Sequence, residues 1–243
     1  MTGTLTIFRR EMGQYFANPV SYFIAAAFLL VTGFFFIDDL TRSVTINAVN
    51  PAAVPEFLSF GMIFFAPVIT MRMLAEEARE GTMELLLTAP VNDLAIVLGK
   101  FLSAWAYYSI LLLITIAYQI IYIQNDSIQP DYGITVSAYI GIWLYGGACL
   151  AVGLAFSALT ENQIVAGFLS MIFLLAMWLG DNIGNIAANI ELANVIRQLT
   201  LQGHFSTSFA AGILRGEDVV YYVGIIGIAL FIAIQLVESR RWR

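Results

Sequence analysis

The chain has 243 residues, of which 60% are hydrophobic and 12% charged, with a mean hydropathy of +0.82. A water-soluble domain of this size carries about a quarter charged residues and fewer than half apolar ones, so one water-facing globule is excluded. The net charge of -6 comes without the basic patch that nucleic acid requires, and the lone Cys149, set among Gly146, Gly147, Ala148 and Ala151, excludes an intrachain disulfide.

Met1–Ala17 opens the chain. Leu5, Phe8, Met12, Tyr15 and Phe16 recur at helical spacing, with Arg9, Arg10, Glu11 and Gln14 elsewhere on the wheel. This predicts an amphipathic helix lying on the inner membrane surface. It does not read as a cleavable leader, because the first apolar run starts near residue 20 and is longer than an h-region.

Six apolar runs then reach the roughly 20 residues that a bilayer demands. They are Val20–Ile37, Phe57–Leu74, Phe101–Ile123, Val136–Leu159, Gln163–Gly180 and Val219–Val237. Continuous apolar runs, each about twice the length of a barrel strand, predict helices. The fold class is therefore an all-α integral membrane protein, read as a single domain over residues 1–243. Asn18 and Pro19 predict an N-cap and first helical residue for the first span. The stretch Asp38–Glu56 holds Pro51 and Pro55 and is expected to be irregular. Pro67 predicts a kink in the second span, with Ser59 or Thr70 available to satisfy the freed backbone. Asn92 or Asp93 can cap the lead-in to the third span, and Thr160 with Gln163 has capping-box spacing before the fifth.

Placing both termini in the cytoplasm puts Arg9, Arg10, Arg72, Arg79, Lys100, Arg240, Arg241 and Arg243 inside. It leaves only Arg42, Arg197 and Arg215 outside, the bias expected of an inner-membrane protein. The inner loop 75–93 carries Glu76, Glu77, Glu80 and Glu84 with Arg79. Gly81 followed by Thr82 reads as a helix stop and a new cap, with a short second helix expected over Met83–Thr88 and ended by Pro90. By spacing alone, such a charge run is commonly a solvated face. The outer segment 181–218 is too long for a turn, and Ile183, Ile186, Ile190, Leu192, Val195, Ile196 and Leu199 predict one or two short helices half-sunk in the outer leaflet.

The sequence lacks the means to power transport. Gly99-Lys100 is followed by Phe101 and lacks the upstream glycine of a phosphate cradle. One histidine, His204, cannot build a multi-histidine metal site. None of the six runs has Asp, Glu, Lys or His near its centre, which argues against an ion-coupled carrier. Gln119 is the most polar buried candidate and reads as an interhelical hydrogen-bond partner. Asn125-Asp126-Ser127 matches a glycosylation acceptor, a weak three-residue signal.

The stretch from Met71 through Ala75, Glu76, Glu77, Arg79, Glu80, Gly81, Thr82 and Glu84 to Pro90, continuing to Leu98-Gly99-Lys100, resembles the permease subunits of type-2 ABC exporters, closest to the gliding-motility branch. Two further stretches agree: Arg9-Arg10-Glu11 with Tyr15-Phe16 and Asn18-Pro19, and His204-Phe205, Phe209, Gly212 and Asp218–Tyr222. The resemblance covers essentially the whole chain. It implies that this chain is no enzyme and binds no cofactor, with ATP and magnesium held by a separate cytoplasmic ATPase dimer. It implies that Glu76, Glu77, Arg79, Glu80, Gly81, Thr82 and Glu84 form the coupling loop to that ATPase. Phe8, Arg9, Arg10, Tyr15 and Phe16 would belong to an interface helix making the other contact. A second copy or a homologous permease would complete the pathway, for which Phe64, Phe65, Met171 and Phe173 are the candidate lining. Because the loop is continuous with the second span, motion is expected to enter the bilayer along that span. A membrane partner with a large outer domain fits the same branch, as does the alternative role of a non-transporting scaffold that anchors an ATPase to extracellular machinery.

Overall fold

The computed structural model describes residues 2–46, 48–82, 91–123, 131–186 and 198–240. Glu84, the expected helix Met83–Thr88, Pro90, Asn125–Ser127, Ile190, Leu192, Val195, Ile196, Arg197, Arg241 and Arg243 lie outside these residues.

The described residues form helices joined by turns, with no strand among them. An N-terminal helix, α1 (Thr2–Ala17), leads into α2 (Pro19–Ile46) and α3 (Ala53–Thr70). The five-residue α4 (Ala75–Arg79) precedes α5 (Asp93–Ile123), α6 (Tyr132–Leu159) and α7 (Gln163–Ile186). A short α8 (Leu201–Thr207) and a 3₁₀ turn (Phe209–Ala211) lead to α9 (Gly216–Arg240). Six helices are long and apolar enough to span a membrane: α2, α3, α5, α6, α7 and α9. At 1.5 Å per residue, the 31 residues of α5 reach about 46 Å, well beyond a hydrocarbon core of about 30 Å. Part of its length therefore extends past the apolar layer.

α6 is the axis of the bundle, with 78% of its apolar window buried. It packs against α9, α3, α7 and α5. Small residues permit this. A Cβ on Gly146 would fall inside the ring of Tyr108, and one on Gly153 would collide with the Thr70 hydroxyl. Several polar side chains in the spans are satisfied locally by the backbone of the preceding turn. Thr32 Oγ1 donates to the Phe28 carbonyl (2.8 Å) and Thr115 Oγ1 to that of Leu112 (2.7 Å). Gln119 Nε2 donates at 3.4 Å to the carbonyl of Pro51, in the turn that leads into α3.

Several boundaries differ from the sequence reading. Asp38–Ile46 is helix, not irregular loop: α2 continues through it, braced by Arg42–Asp38 at 2.9 Å and by Thr41 and Thr45 bonding back one turn. Pro55 sits in the first turn of α3, where its missing N–H costs nothing. α7 is capped by Asn162, whose Oδ1 accepts from the amides of Ile164 (3.0 Å) and Val165 (3.4 Å). Thr160 instead accepts from the Asn162 amide. α7 also continues through residues 181–186, the start of the segment that the sequence reading places outside the spans. For α2 the Asn18 cap is present, with Oδ1 accepting from the Val20 amide at 2.9 Å. Near Pro67, Thr70 donates to Ala66 and Ser59 to Glu56, so neither hydroxyl serves Ile63, whose carbonyl the proline leaves without its usual donor.

The two ends of the bundle are closed differently. At one end α1, α4, the start of α5 and the ends of α6 and α9 converge. There Arg240 Nη2 donates to the Ala158 carbonyl at 3.0 Å. At the opposite end Tyr122 bonds Asp39, and His204 of α8 pairs with Asp218 in the first turn of α9. His204 also meets the Gln198 carbonyl through Nε2 at 2.9 Å and stacks on Tyr221 at 3.8 Å.

Candidate functional site

The charged residues of the sequence converge at the first of these ends. Three elements bring them there. α1 lies along the start of α5 with Gly3, Ile7, Glu11 and Tyr15 inward, a stripe of four-residue spacing. Ile7 sits so close to Gly99 that any Cβ there would clash, and Tyr15 stacks on Tyr107 with centroids 4.6 Å apart. Burial, together with Glu11 and Tyr107, pushes the Tyr15 phenol well above its ordinary pKa, so it stays neutral.

Lys100 follows Gly99 on α5 and is 1% exposed. A buried ammonium survives only when paired. Its Nζ lies 3.1 Å from Glu11 Oε1 and 2.9 Å from Glu77 Oε1. Arg10 Nη2 reaches the same two oxygens, at 2.6 Å and 3.0 Å. Two cations and two carboxylates thus neutralise one another across α1, α4 and α5. Burial works against the Arg10 charge, but hydrogen bonds and the fields of Glu11 and Glu77 outweigh it and raise its pKa. Glu77 Oε2 is buried without a protein partner among the described residues.

α4 is held from a second side. Helix α3 stops at Thr70, and Met71–Leu74 are turns, with Leu74 at φ -122°. Ser157 of α6 spans these turns. Its Oγ accepts from the amides of Leu74 and Ala75, each at 3.1 Å, and donates to the Met71 carbonyl at 3.2 Å. Gly81, at φ +71°, stops the segment in the left-handed region that glycine enters without penalty.

The residues singled out from sequence separate into two groups. Glu77 turns inward to the ion-pair cluster, which the exposed Arg10 joins from its outer side. Arg79 and Glu80 are exposed, 3.9 Å apart, and Arg9 and Phe16 are exposed on α1. Glu76 is half-buried at the rim of a cavity of about 600 Å³, which is also lined by Arg10, Asn18, Arg72, Glu80 and Lys100. Thr82 Oγ1 donates to the Glu77 carbonyl at 3.3 Å. Phe8 lines a separate apolar groove with Leu98, Leu102, Trp105 and Trp143. Sequence reasoning missed Glu11, Lys100 and Ser157. For Glu11 and Lys100 a signal existed: Glu11 falls on the Ile7–Tyr15 stripe, and Lys100 interrupts a long apolar run.

Phe64 and Phe173 are exposed on α3 and α7, whereas Phe65 packs edge-on against Phe28 at 5.0 Å and Met171 is half-buried. None of the four lines either cavity described above. Among the described residues, no group of three His, Cys, Asp or Glu side chains is arranged to hold a metal ion.

Six helices long and apolar enough to cross a membrane thus carry a charged cluster at one end of the bundle. Comparison with protein-family models matches residues 37–190, well over half of the chain, to the ABC-2 family transporter protein model. The chain belongs to the ABC-2 transporter family. A search of curated proteins finds no match. As an ABC-2 membrane domain the chain is a permease subunit, and the family implies a bilayer and a partner ATPase. The family match begins within α2 and ends just beyond α7, so it includes α4, Lys100 and Ser157 but not α1.

Proposed function

We propose that this chain is the permease half of an ATP-driven exporter, working as a dimer of identical or homologous permeases with a cytoplasmic ATPase dimer that holds the ATP and magnesium. The observation that carries this reading is the cluster of Arg10, Glu11, Glu77 and Lys100, which fixes an amphipathic helix and an acidic coupling segment to the end of one span. A membrane domain with no energy source of its own needs a rigid place to be pushed. Arg79, Glu80 and the rim residue Glu76 would meet the ATPase, and Arg9 and Phe16 would extend that contact. On this reading both termini and the coupling segment face the cytoplasm of the cell membrane, and the chain is one permease domain with short outer helices before the last span. The exposed aromatic strip of Phe60, Phe64 and Phe173 supports a substrate path at the interface of two permeases rather than inside one. An outer-domain membrane partner would complete a complex of the gliding-motility type.

Co-purification tests this. Expressed with its native neighbours and extracted in mild detergent, the chain is expected to carry an ATPase subunit in equimolar amount. Reversing the charges of Arg79 and Glu80 together is expected to release it. A complex that never contains an ATPase refutes the reading.

A further inference from the structure

We infer that the push on the coupling segment is delivered to α5 and α1 through Lys100, not along α3, and that Lys100 is the positioning residue of the coupling step. This rests on the reading above, that an ATPase docks at this end.

The turns at Met71–Leu74 weaken the axial route. A force passes stiffly along a helix through its hydrogen-bond ladder, and here that ladder is thinned: the Met71, Met73 and Glu76 amides still bond Pro67, Thr70 and Arg72, but those of Leu74 and Ala75 leave it for Ser157. α4 itself is five residues long, too short to hold its shape alone. Its position is set by what grips it, and two grips are present. Ser157 holds both ends of these turns against α6, next to the end of that helix. Three residues further along the segment, Glu77 is bound by Lys100 of α5 and Arg10 of α1.

These two attachments have different mechanical character. Ser157 makes neutral hydrogen bonds at the root of the segment and permits rotation about them. Lys100, its own side chain 2% exposed, makes two charge contacts, to Glu11 and to the partly buried Glu77. Withdrawing Glu77 from Lys100 would strand charge in a poorly solvated site, which is far costlier than breaking an exposed pair. The Lys100 contact therefore resists separation and carries load. α1 must follow, because Glu11 shares the same ammonium and Ile7 is seated on Gly99 beside it. The segment behaves as a lever with its pivot on α6 and its load on α5 and α1. Arg79 and Glu80, exposed beyond Glu77, lie at the driven end.

The test uses the permease–ATPase complex in nanodiscs, with spin labels on exposed Leu94 of α5 and exposed Glu238 of α9. The distance between them is measured with and without ATP plus vanadate. The wild-type complex is expected to show a nucleotide-dependent shift. Lys100→Met is expected to abolish the shift while the ATPase still co-purifies, and Lys100→Arg, which keeps the charge, is expected to restore it. Inserting two glycines between Arg72 and Met73, which lengthens the link to α3, is expected to preserve it. A normal shift in Lys100→Met overturns the inference, as does loss of the shift in the glycine insertion with ATPase still bound. Should Lys100→Met fail to assemble, the glycine insertion decides by itself. If the wild-type chain binds no ATPase, the underlying reading falls and takes this inference with it, an outcome distinct from a bound ATPase that moves nothing.

Discussion

Replacing Ser157 with alanine isolates the root of the coupling segment. The substitution removes one oxygen that accepts from two amides, Leu74 and Ala75, and donates to the Met71 carbonyl. Ser157, Leu74 and Ala75 are all at 0–1% exposure, so water is poorly placed to replace the lost acceptor. Loss of a helix cap costs about 0.5–2 kcal/mol, and a stranded buried donor about 1–3 kcal/mol. With two donors sharing one acceptor, about 2 kcal/mol is a reasonable central value. The bundle loses little else, because alanine fits in the space of serine. The cost should therefore appear as local opening of residues 74–80, at roughly thirtyfold faster exchange by the tenfold-per-1.4 kcal/mol rule. Hydrogen–deuterium exchange in detergent reads this directly, with peptides of α6 as the internal control. Unchanged exchange over 74–80 would refute the capping role. Equal acceleration across α6 would show that Ser157 supports the whole bundle rather than the segment.

Three further outcomes follow from the packing. Gly146→Ala drives a methyl into the Tyr108 ring and should destabilise the bundle by about 1–3 kcal/mol; Cys149, the only cysteine and fully buried, reports this as earlier labelling by a thiol-reactive dye on heating. His204→Ala leaves the Asp218 carboxylate, 4% exposed, without its imidazole hydrogen-bond partner. The loss should reach about 1–3 kcal/mol, appear in the same assay, and be largely relieved by adding Asp218→Asn. Tyr122→Phe removes the bond to Asp39 that ties α5 to the far end of α2 and should cost about 1–2 kcal/mol, seen as increased exchange in the last turns of α2.

Glu77 shows where the sequence reading stopped. Its place in an acidic run marks it as an outward contact, yet it turns inward, because Lys100 and Arg10 offer it two cations. Arg10 and Glu77 are 67 residues apart, Lys100 and Glu11 are 89, and Ser157 and Leu74 are 83. Pairings over such separations leave no periodic trace in a single sequence. Glu11 was placed on the polar face for the same reason: a carboxylate faces water unless a distant partner is brought to it.

The sequence by itself determined that the chain lives in a bilayer, that six helices cross it, where most of them begin, and that nothing in it resembles an ATP-binding cradle. Those properties follow from apolar length, from caps and from residue types present or missing, all of which are local. Tertiary structure decided which charges are spent inside the protein and which remain for a partner. It also placed α6 at the centre and drew the Leu74 and Ala75 amides out of the helical ladder onto Ser157. Burial and pairing depend on what lies across the bundle, so they exist only once the helices have packed.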